Sequence, residues 1–144
     1  MDDAIVVPTD GSDSARRAVD HAVDLAARSG ATVHAVSVVD ATKLGPFTPS
    51  DVALSEIRSS LQSAATEATE AVARRCGEAG VVCVTAVRVG IPHEAIVAYA
   101  DDGEASLVVM GTHGRTGLPR AILGSVTERV IRTSDVPVLT VGPA

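Results

Sequence analysis

The residues with the clearest chemistry lie in one stretch, Met110–Glu128, directly after the apolar run Leu107-Val108-Val109. Gly111 and Gly114 are separated by two residues, and Gly124-Ser125 follows after nine more. An apolar strand, a glycine-rich loop and a capped helix start are the parts of a phosphate cradle. Ser125 and Glu128 have the S-x-x-E spacing of a capping box, which predicts a helix starting just after Gly124. The backbone N–H groups of Ser125, Val126 and Thr127 would then point outward and attract an anion. Gly111 and Gly114 are expected at positive φ, where the backbone approaches a ligand with no Cβ in the way. The plainer reading is a glycine-rich turn that only links a strand to a helix.

The pattern is not a Walker loop, which ends in Gly-Lys-[Ser/Thr]. The only lysine, Lys43, is far away in sequence, and no G-x-G-x-x-G fingerprint is present. An exposed helix N-terminus supplies about 0.3–1 kcal/mol of anion stabilisation, and ~2 in a favourable site. That is small beside the charge of a triphosphate, so a divalent cation or an arginine must contribute. Arg115, inside the loop, is the first candidate and Arg120 the second.

A second group, Pro8-Thr9-Asp10-Gly11-Ser12, closes the first strand. Open parallel sheets bind ligands outside the carboxyl ends of their strands, where the chain order reverses. If the first and fourth strands are central neighbours, Asp10 and Gly111 face one crevice. Asp10 could bind ribose hydroxyls or a magnesium ion, both hard-oxygen tasks. It could equally be an Asx-turn or helix-cap residue.

These groups need a frame. Strands are predicted at residues 4–8, 32–39, 81–88, 106–110 and 136–141, and the last helix at 126–133. A helix after Ser12 or Asp13 carries Ala15, Ala18, Val19, Ala22, Leu25 and Ala26 at helical spacing and stops at Gly30. A loop with Gly45, Pro46 and Pro49 leads to a long helix, roughly 50–79, with Val52, Leu54, Ile57, Leu61, Ala64, Ala65, Ala68 and Val72 inward and Gly80 as its stop. Pro92 opens another helix, with Ala95, Ile96, Tyr99 and Ala100 on its apolar face. Strictly alternating strands and helices imply an α/β fold, one parallel sheet with helices on both faces. The apolar first and fourth strands suit its centre.

At 144 residues, 46% of them hydrophobic, the chain is expected to form one domain spanning residues 1–144. Only 1% is aromatic, and the net charge is −6. Both facts argue against nucleic acid, which is bound by clustered cations and stacking rings. No run approaches the ~20 apolar residues of a membrane span. The acidic start Met1-Asp2-Asp3 does not read as a signal peptide, so a cytoplasmic location is expected. Cys76 and Cys83 form no CxxC motif and read as reduced packing residues. His21, His34, His93 and His113 are scattered, with no metal-ligand spacing.

Four segments, Ile5–Ser12, Met110–Gly117, Gly124–Glu128 and Val136–Leu139, resemble the universal stress protein family, and the resemblance covers almost the whole chain. The G-x2-G-x9-G-[ST] motif resembles that of its ATP-binding branch. The resemblance implies an open five-stranded parallel sheet in the order 3-2-1-4-5, of the adenine-nucleotide alpha-hydrolase-like kind, holding ATP with Mg²⁺. Pro8, Thr9 and Asp10 would line the adenosine site, and Val38 would offer its backbone to adenine. Gly111, Gly114, Gly124, Ser125 and Val126 would cradle ribose and phosphates, with Arg115 where many relatives carry a basic residue. The family's dimers form through the last strand, which implies a homodimer along Val136 to Val141, with Pro137 tolerable on an edge.

Three functions compete on these residues. One is a small ATP-binding regulator of a stress response. Another is a weak ATPase or nucleotidyl-transfer enzyme using His113, Asp10 or His93 as acid or base, although no nucleophile–base pair is legible. The third is a dimeric scaffold that binds no nucleotide.

Overall fold

Short runs of β-branched residues, each followed by a capped amphipathic segment, build the frame. The structure is a computed structural model that describes residues 3–44, 51–113 and 122–143, with residues 51–54 in backbone only. The strands are β1 (Ala4–Pro8), β2 (Thr32–Asp40), β3 (Cys83–Gly90), β4 (Leu107–Gly111) and β5 (Val138–Val141). The helices are α1 (Asp13–Ser29), α2 (Asp51–Glu78), α3 (Pro92–Asp102) and α4 (Ser125–Thr133), and Ala41–Leu44 form a 3-10 turn after β2. The sheet is five-stranded, open and all parallel, in the order β3-β2-β1-β4-β5. β1 and β4 are thus neighbours at the centre, and the chain order reverses between them.

Period-two alternation sends side chains of the central strands to opposite faces. Ile5, Val7, Val33 and Val109 pack with Ala18, Val19, Ala22 and Val23 of α1 and Val72 and Cys76 of α2. Val6, Val36, Val108 and Met110 pack with Ile96 and Ala100 of α3 and Val130 of α4. Burying each of these valines fully contributes roughly 1.5–3 kcal/mol relative to exposure. The small alanines of α1 let that helix lie close on the sheet. Ser12 caps α1, its Oγ accepting from the Ala15 N–H at 3.2 Å. Gly30 ends it in the left-handed region at φ 79°.

Several expectations shift. Val23 is buried in α1 where Leu25 was expected, and Leu25 is exposed. In α2 the inward stripe is Ala65, Ala68, Thr69, Val72 and Cys76, whereas Ile57 and Ala64 are exposed and Leu61 only half-buried. Residues 55–60 are all exposed, so the first half of α2 extends past the layer it was expected to cover. The side chains of Val52 and Leu54, and the loop positions Gly45, Pro46 and Pro49, lie outside the described residues. β3 begins at Cys83, not Val81, because the Val81 N–H bonds back to the Cys76 carbonyl at 2.9 Å and so belongs to the α2 terminus. β5 begins at Val138, since Ser134 Oγ closes a turn by accepting from the Val136 N–H and donating to its carbonyl.

Cys76 and Cys83 are free thiols that meet across the α2–β3 junction. Burial, then the neighbouring Cys83, pushes the Cys76 thiol up to about 12, and burial raises Cys83 as well. No helix among the described residues is long and apolar enough to cross a membrane.

Candidate functional site

Because all strands are parallel, their carboxyl ends share one edge, and the candidate residues gather there. The β1–β4 register sets Ile5 opposite Leu107 and Val6 opposite Val108, which carried forward brings Thr9 level with Gly111. Pro8 and Thr9 are buried at the end of β1. Thr9 Oγ1 accepts from the Gly11 N–H at 3.1 Å, and Asp10 Oδ1 accepts from the Ser12 N–H at 2.9 Å. Asp10 is therefore an Asx-turn residue as well as an exposed carboxylate on this edge. Gly11 turns the chain at φ 79°. Arg16, in the next turn of α1, donates to the Gly11 carbonyl at 3.3 Å.

β2 outruns β1. Pro8 is level with Val36, whose carbonyl accepts from the Thr9 N–H at 2.9 Å. Backbone polar groups point to the same side every second residue. The N–H and C=O of half-buried Val38 therefore face the side of β1, at a level where β1 has already turned away.

The end of β4 is tied to three elements, α1, α4 and β5. The Gly111 carbonyl accepts from Thr127 Oγ1 of α4 at 2.8 Å, in a buried bond. The Thr112 N–H reaches the Val141 carbonyl of β5 at 3.1 Å, and the Thr112 carbonyl accepts from the Gly124 N–H at 2.7 Å. The His113 N–H donates to Ser14 Oγ of α1 at 3.3 Å. The ring of half-buried His113 has Thr112 Oγ1 at Nδ1, 2.9 Å away, and the Ile122 carbonyl at Nε2.

Gly111 does not have the positive φ expected of it; among the described glycines Gly11, Gly30 and Gly80 do. Gly111 is glycine because α1 crosses it closely: a Cβ there would lie 2.3 Å from Ser14 Oγ and 2.8 Å from the Ser14 carbonyl oxygen. The capping box is also absent. Gly124 is the N-cap, with no side-chain cap bond, Ser125 is the first helical residue, and Glu128 pairs instead with Arg132 at 3.0 Å. With Gly124 as N-cap, the N–H groups of Ser125, Val126 and Thr127 have no intrahelical acceptor. The anion-attracting end survives without the capping box that led to it. Gly114, Arg115 and Arg120 lie outside the described residues.

The other histidines do not join this edge cluster. His93 is in the first turn of α3, after edge strand β3, and β2 separates that strand from β1, about 10 Å in two strand spacings. His34 bonds Tyr99 Oη through Nδ1 at 2.8 Å, and its burial lowers its pKa. His21 is exposed on α1. Lys43 sits in the 3-10 turn after β2, which packs against β3 and α2. Among the described residues no three His, Cys, Asp or Glu side chains are grouped to hold a metal by themselves.

Sequence reasoning missed Ser14 and the side-chain role of Thr127, whose backbone N–H alone was picked out. Both are small hydroxyl residues on otherwise apolar helix faces, a weak signal that gains meaning only when the end of β4 is placed against them.

Comparison with known proteins agrees with the fold. The family model described as the Universal stress protein family matches residues 1–142. Universal stress protein MJ0531 of Methanocaldococcus jannaschii is 42% identical over 139 residues, covering 95% of this chain and 80% of that protein. The solved structure of protein MJ0577, from the same organism, superposes with a TM-score of 0.87 at 32% identity, covering 100% of this chain and 98% of that one. A universal stress protein crystallised in complex with cAMP aligns at 31% identity with a TM-score of 0.67, covering 97% of this chain and 96% of its own.

Proposed function

The chain belongs to the universal stress protein family, and we propose that it is a small cytoplasmic regulator that holds ATP with Mg²⁺ at the carboxyl ends of β1 and β4. One observation carries the reading. The uncapped N-terminus of α4 is bonded, through Gly124 and Thr112, to the end of the strand beside the Asp10 turn. A relative in complex with cAMP supports an adenine nucleotide as the ligand class.

Pro8, Thr9 and Asp10 would line the adenosine, and the Val38 backbone would meet the adenine edge. Gly111, Gly124, Ser125 and Val126 would hold ribose and phosphates by backbone N–H groups, joined on sequence grounds by Gly114 and Arg115. Mg²⁺ keeps several waters and binds through one or two carboxylates plus phosphate oxygens. Asp10 is exposed, and among the described residues no carboxylate cage is built, which fits an ion that arrives with the nucleotide. Bound there, the ion neutralises phosphate charge. Holding is favoured over hydrolysis, because both His113 ring nitrogens face protein partners.

A second copy would pair along β5. The Pro137 and Val141 carbonyls point to β4, so the polar groups of Val138 and Thr140 face away from it. Leu139 (40% exposed) and Ile131 (45%) add apolar surface, whereas Val141 is spent in this chain's own core.

Denaturing the purified protein and chromatographing the supernatant, with calorimetry of Mg-ATP binding, tests the reading. Adenine nucleotide in the supernatant or measurable affinity is expected. Absence of both rejects it in favour of a dimeric scaffold, for which Gly124→Val would change no ligand binding.

A further inference from the structure

The geometry points to His113 as a positioning residue: it fixes where the α4 N-terminus stands relative to β4, and thereby sets affinity for the phosphate part of a nucleotide. This deepens the nucleotide reading above and rests on it.

A carbonyl oxygen only accepts, so the His113 Nε2 facing Ile122 carries the proton, and in the neutral ring Nδ1 accepts from the Thr112 hydroxyl. The same residue's N–H is held by Ser14 of α1. One side chain thus joins the residue that follows β4 to a residue two positions before the α4 N-cap, with α1 as its anchor. The other described ties between the start of α4 and the end of β4 are the Gly124 N–H bond to the Thr112 carbonyl at 2.7 Å and the Thr127 hydroxyl bond to the Gly111 carbonyl at 2.8 Å. Two bonds leave a hinge axis between them, and the braced ring adds a third point of attachment, at Ile122, ahead of the N-cap.

The consequence is selective. Hydrogen bonds weaken steeply with angle, and the field of a helix end fades within its first turn. A small tilt of α4 would misdirect the N–H groups of Ser125, Val126 and Thr127 together. Val38 and the Pro8–Asp10 segment belong to β2 and the β1–α1 turn, which do not depend on α4. Loss of His113 should therefore weaken binding of phosphates and spare binding of the nucleoside.

Calorimetry of wild type, His113→Ala and His113→Gln with Mg-ATP and with adenosine separates the outcomes. For His113→Ala a loss of tenfold or more is expected for Mg-ATP, with adenosine within twofold of wild type. Gln, whose amide can still donate to the Ile122 carbonyl, should regain most of that loss. Parallel losses for both ligands, or Mg-ATP affinity within twofold of wild type, would overturn the role. Should His113→Ala not fold, Thr112→Val removes only the hydroxyl partner of Nδ1, and the same split in smaller measure decides. Wild type that binds neither ligand rejects the nucleotide reading itself, and ligand-free hydrogen exchange then judges the brace. The Gly124 amide should exchange at least tenfold faster in His113→Ala with the Val109 amide unchanged, and an unchanged Gly124 rate rejects it.

Discussion

Ser14 occupies the space that any side chain on Gly111 would need: a Cβ on Gly111 would stand 2.3 Å from the Ser14 hydroxyl oxygen and 2.8 Å from its carbonyl oxygen. The first turn of α1 and the end of β4 are in direct contact, so the two halves of the candidate site, one from each strand, are built against each other.

Gly111→Ala should therefore destabilise by about 1–3 kcal/mol, the usual range for overpacking a tight contact. Ser14→Ala in the same chain should recover only part of it, because the hydroxyl oxygen goes and the carbonyl stays. Urea denaturation of the two single variants and the double variant measures this. Full recovery would show that only the hydroxyl matters.

Thr127 is 4% exposed and its hydroxyl donates to the Gly111 carbonyl. Thr127→Val keeps the shape and strands a buried acceptor, which costs about 1–3 kcal/mol. Thr127→Ser keeps the donor and should be milder. Thermal melts of the two variants rank them, and a Val variant as stable as the Ser variant would count against a buried bond here.

The two ends of α1 give an independent check on local structure. Ser12→Ala removes the cap on the Ala15 N–H and should cost ~1 kcal/mol. Gly30→Ala has open space around the new methyl, so its cost is that of φ 79° alone, roughly 1–2 kcal/mol. The sites are a whole helix apart, about 25 Å. Their effects should add within roughly 0.5 kcal/mol in a double variant followed by urea denaturation.

The thiol pair makes stability depend on alkaline pH. Cys76, with its folded value near 12, stays protonated where an unfolded thiol, near ~8.5, has ionised. Folding then binds the extra proton, so this contribution is full below about 8.5 and is lost as pH rises towards about 12. Urea midpoints should fall across that window, and less steeply in Cys76→Ala. In the native protein Cys76 should also resist alkylation at neutral pH, since the thiolate is the nucleophile.

The strand–helix order and most boundaries were legible because one apolar run and one cap signal mark each element; the residues themselves pointed only to the first and fourth strands as the centre, and the full strand order was implied by the family resemblance. Cys83 and Val138 show the limit. Val81 and Val136 are as β-prone as the strands they precede, yet the end of α2 takes the Val81 N–H and a turn closed by the Ser134 hydroxyl takes Val136, and neither closure shows in the apolar pattern. In α2 the expected stripe holds at Ala65, Ala68 and Val72 and fails at Ile57 and Ala64, because alanines recur on several faces and only packing against the sheet selects among them. At the site, the residue types were readable but their reasons were not. Gly111 was expected at positive φ, and what its missing side chain makes room for is Ser14. His113 read as one of four scattered histidines, and its ring partners, the Thr112 hydroxyl and a backbone carbonyl nine positions on, emerge only from the fold.

The lone tyrosine gives the molecule an unusual optical character. The chain has one Tyr, one Phe and no Trp, so its own near-ultraviolet absorbance is almost nothing. Any adenine carried through purification would dominate the spectrum of the sample. Tyr99 itself, with its hydroxyl 2.8 Å from His34 Nδ1 and Arg88 5.2 Å over its ring, bridges α3 to β2 and β3. Its emission is a built-in gauge of whether that helix is docked on the sheet, readable with no label attached.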